Sequence, residues 1–238
     1  MTDDELRLLV SQACKVLYDQ GQEHFHLGHV SARAPGADKI WVKPQGLGLG
    51  EITPDDVMAM DLDGNPLTEG QPLHREMPIH TEIYRRRPDV NCVVHTHPFY
   101  AAALAATTAE FQIVSQDGVH FVDGIGRYDK AELVVTKDEG ERVAEALGNL
   151  RAVFLRNHGT AVVGPSVPVA TYLAVSLDRS VRMQQAAASL GEVRPIPPDQ
   201  VAGMVRYFAN LYGDGIGNTW RYLLRQSGLR ERQPGERG

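Results

Sequence analysis

The chain has little cysteine, no long apolar run and no concentrated block of basic residues, and each absence removes a class of protein. Its only cysteines are Cys14 and Cys92. Two cysteines do not make a disulfide framework, so a reducing cytoplasm is the expected location. No apolar run approaches bilayer-spanning length, so a membrane is not an expected partner. The opening MTDDELRLLV is acidic and lacks the pattern of a secretion signal. Lysine and arginine nowhere cluster with interleaved aromatics and the formal net charge is −6, so nucleic acid is not an expected partner either. Repeats and low-complexity blocks are missing. What remains is 238 residues of ordinary globular composition, enough for one large domain or a tight pair with a sizeable core.

Periodicity divides the chain into alternating strands and helices. Asp3 to Gln20 predicts a helix with Leu6, Leu9, Val10, Ala13, Cys14 and Leu17 on one face and Gly21 as its stop. HVSARAPG and KIWVKP predict two strands around Pro35-Gly36. ITPDD looks like a helix start, with Pro54 after Thr53. MAMDLDGNPL predicts a hairpin turning at Asp63-Gly64. His74 to Arg87 predicts a helix with Met77, His80, Ile83 and Tyr84 on one face; Pro78 is tolerated in its first turn. NCVVHTHP predicts a buried strand, Phe99 to Thr107 and Asp138 to Leu147 helices, and AVFLRNHG with TAVVG two strands turning at Gly159. Val167 to Leu190 predicts a long helix, PIPP at 195–198 a boundary, and Val201 to Tyr212 and Thr219 to Gln226 short helices before a frayed, charged RERQPGERG. The alternation implies a mixed α/β domain.

Histidine is the residue that carries chemistry here. In a strand, residues two apart point the same way, so His95 and His97 aim their rings together. His158, in LRNHGTAVVG, again closes an apolar strand, and Gly159 allows a tight turn and a close backbone approach. Three neutral histidines leave coordination positions open, as in a catalytic metal site. Glu76 is a candidate carboxylate one helical turn from His80. Taken singly, a histidine pair is more often core or surface, and Glu76 a solvated helix residue. His24 and His26 share a face but read as an exposed loop edge rather than a second metal site. His120, in GVHFVDG, lines the pocket or sits on a strand. GLGLG at 46–50 lacks the context of a dinucleotide fingerprint and reads as a loop beside the site. Tyr207, Tyr212 and Trp220 read as packing residues; Arg206 or Tyr212 would complete a neighbouring subunit's pocket if the tail reached it.

The order GHVSAR, VKPQG, TPDD, HREMPIHTEIYRRRPDVNCVVHTHP and LRNHG resembles the class II aldolase and adducin head family, from about Asp3 to about Leu190. The resemblance implies a three-layer α/β/α fold with a central, largely antiparallel sheet. It implies a metal-binding domain over residues 1–194 with 195–238 as its helical tail, and a homotetramer with sites between subunits. It implies one divalent ion per subunit (zinc, manganese, cobalt or iron) on His95, His97 and His158, with Glu76 as catalytic acid/base and His80 and His29 in reserve.

The departures from the sugar-phosphate members are as informative. Where those members bind phosphate through small donors, this chain has Gly28-His29-Val30-Ser31, Pro44-Gln45-Gly46 and His74-Arg75-Glu76. A phosphate cradle needs several compact donors, whereas a guanidinium binds a planar carboxylate through paired hydrogen bonds. Arg75, His74, Lys43, Gly46 and Ser31 are therefore expected around an anionic small molecule. These changes, with the SQDG segment at 115–118, are similar to the family's branch of aromatic dicarboxylate decarboxylases. The expected reaction is metal-dependent, non-oxidative loss of carbon dioxide from a hydroxylated aromatic carboxylate. The alternative is aldol cleavage or epimerisation of a sugar phosphate or hydroxy-ketone. A non-catalytic module like the adducin head ranks third, because the three histidines are kept.

Overall fold

The computed structural model of the protein describes residues 1–209 and 215–230. Tyr212 and the charged stretch from 231 onward lie outside the described residues. Seven strands form one sheet: β1 (His29–Arg33), β2 (Ile40–Val42), β3 (Met58–Met60), β4 (Cys92–Thr96), β5 (Gly126–Tyr128), β6 (Ala152–Leu155) and β7 (Gly159–Gly164). Their order is β3-β2-β1-β4-β7-β6-β5, and every neighbouring pair is antiparallel except β5 with β6. The helices are α1 (Asp3–Asp19), α2 (Met77–Arg86), α3 (Phe99–Ala105), α4 (Lys137–Leu147), α5 (Val167–Leu190), α6 (Pro198–Ala209) and α7 (Ile216–Gln226). Among the described residues no helix is long and apolar enough to cross a membrane.

Alternation along the strands splits the core into two layers and sets up three-layer packing. Val30, Ala32, Cys92, Val94, Phe154 and Val162 face α1, α3, α5 and α7. Val42, Val93, Val153, Leu155, Ala161 and Val163 face α2 and α4. The α/β architecture expected from the sequence is the one observed. His29, Ser31 and His95 fall on the α2 side by the same alternation, because β1 and β4 pair His29 with His95 and Ser31 with Val93.

Local chemistry explains most boundaries. Thr2 and Glu5 cap α1 reciprocally, and Thr136 with Glu139 do the same for α4. Gly148, at φ +53, stops α4. Three expectations are corrected. Thr53 starts no helix: its backbone N–H and hydroxyl both donate to Asp56 Oδ2 (2.8 and 2.6 Å), closing a single turn before β3. Helix α2 begins at Met77, not His74, because Pro78 has no N–H to give the His74 carbonyl. The turn before β7 takes its left-handed residue at Asn157 (φ +55) rather than at Gly159. The short strand β5 and the 3-10 segments Leu49–Glu51 and Gln116–Phe121 were not foreseen, being too short to show a period.

Candidate metal centre

Four elements end at one edge of the sheet and bring the ligating residues together. His95 is the fourth residue of β4, and His97 lies one residue beyond that strand's end. His158 occupies the turn between β6 and β7, and Glu76 is the N-cap of α2. One ligand atom from each of Glu76, His95, His97 and His158 lies within 4.8 Å of all the others. The backbone can close up here because Gly159 has no side chain. A Cβ at that position would stand 2.5 Å from both the His97 ring and the Thr96 carbonyl.

The donor set fits a divalent ion. His95 Nδ1 donates to the Thr160 carbonyl at 3.0 Å, which leaves an acceptor lone pair on Nε2. That Nε2 stands 3.1 Å from His97 Nε2. Two nitrogens sharing one ion at about 2.0–2.1 Å come to rest about 3.0–3.4 Å apart. Glu76 Oε2 lies 3.4 Å from His158 Nε2 and 3.8 Å from His95 Nε2. Its other oxygen accepts the Val134 N–H at 3.1 Å. Burial, the largest single influence, pushes the Glu76 pKa up, but His158, the Val134 N–H and His97 together outweigh it and the net direction is down. A general acid was expected to be pushed up, so this direction makes Glu76 an ionised carboxylate first. Burial lowers His97 to about 4 and His95 well below the ordinary range, so both are neutral and available to a cation.

Behind this edge stands a second set of buried imidazoles. His29 Nδ1 and His80 Nε2 are 2.6 Å apart, His80 Nδ1 and Ser31 Oγ 2.6 Å, and Ser31 Oγ and Tyr84 Oη 2.8 Å. The His29 ring packs between His74 and His95, with centroids 4.5 and 4.8 Å away. Desolvation holds His29 well below the ordinary histidine range and His80 at about 3. Glu76 and His80, expected to share one cavity, face different neighbours. Glu76 has the non-helical backbone of an N-cap, so helical stacking does not apply to it.

The other candidates divide. Ser31 is fully buried and bonded to His80 and Tyr84, so it supports the His80 imidazole. Lys43 is fully buried, and its ammonium donates to the carbonyls of His26 and Pro44 and lies 3.2 Å from His74 Nε2. It braces His74 and the His26 carbonyl. Burial lowers its pKa to about 8. Arg75 is exposed and makes no hydrogen bond or ion pair with the described residues. Gly46 sits in an open turn at φ +91. His120 is on the 3-10 segment, not a strand, and contacts Tyr172 and Phe208. The SQDG segment packs on α5 through Gly118 against Ser180 and Asp117 against Arg179.

One functional neighbour was missed. His24, read as a loop edge, places Nδ1 3.0 Å from His97 Nδ1. The tight turn that puts it there carries Phe25 at φ +52, and nothing in local sequence predicts an aromatic in that conformation.

The sequence profile of the Class II Aldolase and Adducin N-terminal domain matches residues 9–185. The chain belongs to this family. A 3,4-dihydroxyphthalate decarboxylase of Arthrobacter keyseri is 31% identical over 224 residues, covering 85% of this chain and 87% of that protein. A 4-hydroxy-3-prenylphenylpyruvate oxygenase/4-hydroxy-3-prenylbenzoate synthase of Streptomyces roseochromogenus subsp. oscitans is 33% identical over 166 residues, 68% of this chain. The chain spans 60% of the length of that second relative. The crystal structure of an aldolase II superfamily protein from Pseudomonas syringae aligns with TM-score 0.86 at 25% identity, over 94% of this chain and 92% of that one.

Proposed function

We propose that this class II aldolase family member is a divalent-metal-dependent, non-oxidative decarboxylase of a hydroxylated aromatic carboxylate or dicarboxylate. The observation that carries the reading is the packing beside His95. The His29 ring packs against both His74 and His95, at positions where the resemblance to sugar-phosphate members would place small donors. Relatives named as a 3,4-dihydroxyphthalate decarboxylase and a 4-hydroxy-3-prenylphenylpyruvate oxygenase/4-hydroxy-3-prenylbenzoate synthase support an aromatic substrate.

His95, His97 and His158 would hold the ion, with Glu76 at its side. Zinc, manganese, cobalt and iron all suit such a donor set. When bound, the ion stabilises negative charge developing on the substrate oxygen next to the bond that breaks. The protein's own groups do the rest. Arg75, exposed beside the site, takes a second substrate carboxylate through paired hydrogen bonds. The Glu76 carboxylate accepts the proton of the hydroxyl ortho to the departing group. It returns that proton to the ring carbon as carbon dioxide leaves, so atoms and charge balance without an oxidant. The working unit of this proposal is a cytoplasmic homotetramer with sites between subunits.

The deciding experiment measures carbon dioxide release from a panel of ortho-hydroxy aromatic dicarboxylates, with dioxygen uptake followed in parallel. Metal-loaded protein is compared with His97→Ala. The expected result is release that the variant lacks and that consumes no dioxygen. Cleavage or epimerisation of sugar phosphates in place of release returns the chain to aldolase chemistry. Stoichiometric dioxygen uptake makes the decarboxylation oxidative.

A further inference from the structure

The geometry points to His29 as a neutral hydrogen-bond donor to an anionic substrate oxygen. It is held in its Nε2–H tautomer by a wire of positioning residues that runs Tyr84, Ser31, His80. The inference deepens the decarboxylase reading and rests on it for the identity of the oxygen, but not for the wiring.

The polarity of the wire follows from counting protons. Tyr84 is 1% exposed, and among the described residues its hydroxyl oxygen meets one side-chain partner, Ser31 Oγ at 2.8 Å. A buried hydroxyl that only accepts leaves its proton unbonded, which is costly away from water. Tyr84 therefore donates to Ser31. Ser31 is also fully buried, and its own proton then has one place to go, His80 Nδ1 at 2.6 Å. A neutral imidazole that accepts at Nδ1 carries its proton at Nε2. His80 Nε2–H consequently donates to His29 Nδ1 at 2.6 Å. His29, accepting at Nδ1, carries its proton at Nε2. Run in reverse, the same four groups strand a proton on Tyr84 inside the apolar layer formed by Ile79, Ile83 and Val93. The arrangement is one-way because its far end is sealed.

The near end is the site. His29 faces His95 across the β1–β4 ladder, and its ring lies 4.8 Å from the His95 ring. Among the described residues nothing bonds His29 Nε2, and the residue keeps 1% exposure. A fixed N–H at that place is a preorganised donor of the kind that stabilises developing negative charge without reorganising. A neutral donor also avoids setting a second positive charge against the metal. The general-acid role held in reserve for His29 and His80 is thereby replaced by hydrogen-bond donation from His29 and tautomer control from His80.

The test is the imidazole nitrogen spectrum of full-length, zinc-loaded protein labelled with 15N-histidine. Its nine histidines are assigned through single His→Gln variants. Long-range proton–nitrogen correlations report which nitrogen of each ring is protonated, and no substrate is needed. The expected spectrum shows His29 and His80 both protonated at Nε2. Tyr84→Phe removes the terminal donor, so His29 becomes a mixture of tautomers. Loss of a whole oxyanion donor costs about 100- to 1000-fold in kcat, whereas an even tautomer mixture leaves about half the molecules competent and lowers kcat only about 2-fold. Ser31→Thr, which keeps the hydroxyl, retains the wild-type tautomer. A wild-type His29 protonated at Nδ1, or a Tyr84→Phe spectrum identical to wild type, overturns the inference. If the protein turns out not to release carbon dioxide, the tautomer result stands, so the two failures are distinguishable.

Discussion

His95, His97 and His158 meet at the sheet edge; His29, His80 and His74 stand directly behind them. The two groups are built from one kind of side chain and are wired in opposite ways. At the edge, nitrogens converge on each other: His95 Nε2 and His97 Nε2 are 3.1 Å apart, and the Glu76 carboxylate joins them. Such a cluster is satisfied by a cation. In the rear group, the nitrogens are tied to protein partners and only His29 Nε2 is left toward the site: His80 lies between His29 and Ser31, and His74 touches the Pro44 carbonyl. That cluster is satisfied by the protein itself at every point but that one. The difference teaches that a ring's role is decided by what its second nitrogen meets, not by the presence of histidine.

Breaking the edge group should have the largest effect. His158→Ala is expected to lose the ion and at least about 1000-fold in kcat/KM, since metal stabilisation is worth several kcal/mol. Metal content per subunit checks it beside His80→Gln, which should keep its metal. Equal loss in both would erase the distinction.

The rear group should set the acid limit of the fold. Burial lowers His74 to about 4, His80 to about 3 and, farther off, His120 to about 4. Unfolded histidines titrate near 6.5, so below that pH the unfolded chain takes up protons that the fold refuses. Stability is therefore full above about pH 6.5 and falls as pH drops toward 4. The slope reaches about 1.4 kcal/mol per pH unit for each group. Urea midpoints at pH 7.5, 6 and 5 measure it, and a flat series down to pH 5 would contradict the buried neutral state.

The smallest effect sharpens the boundary between the groups. His24 bonds His97 through the nitrogen that faces away from His95. His24→Ala should weaken metal affinity by about 10-fold, the lower range for groups that orient a ligand. Competition with a chelator reads that affinity directly, and an unchanged value would make His24 a bystander.

Much of this was legible from the chain alone. Period-2 alternation in CVVHT put His95 on a definite face of β4, and the motif order named the family. Helices α1, α4 and α5 were visible because their caps and apolar stripes are local. What stayed hidden depended on partners far along the chain. Lys43 reads as a substrate anchor until its ammonium is seen against His26, Pro44 and His74. Ser31 reads as a substrate-binding hydroxyl until its bonds to Tyr84 and His80 are seen. His24 is visible only as a partner of His26, because the ring it meets lies 73 residues away.

The sequence by itself determined the α/β class, the family, and the residue types able to hold a cation, because propensity, alternation and motif spacing are properties of neighbouring residues. Only the tertiary structure decided which histidines converge and which are wired to protein. A hydrogen bond's direction depends on which acceptor the folded chain brings within about 3 Å, and burial leaves no water to replace a missing partner.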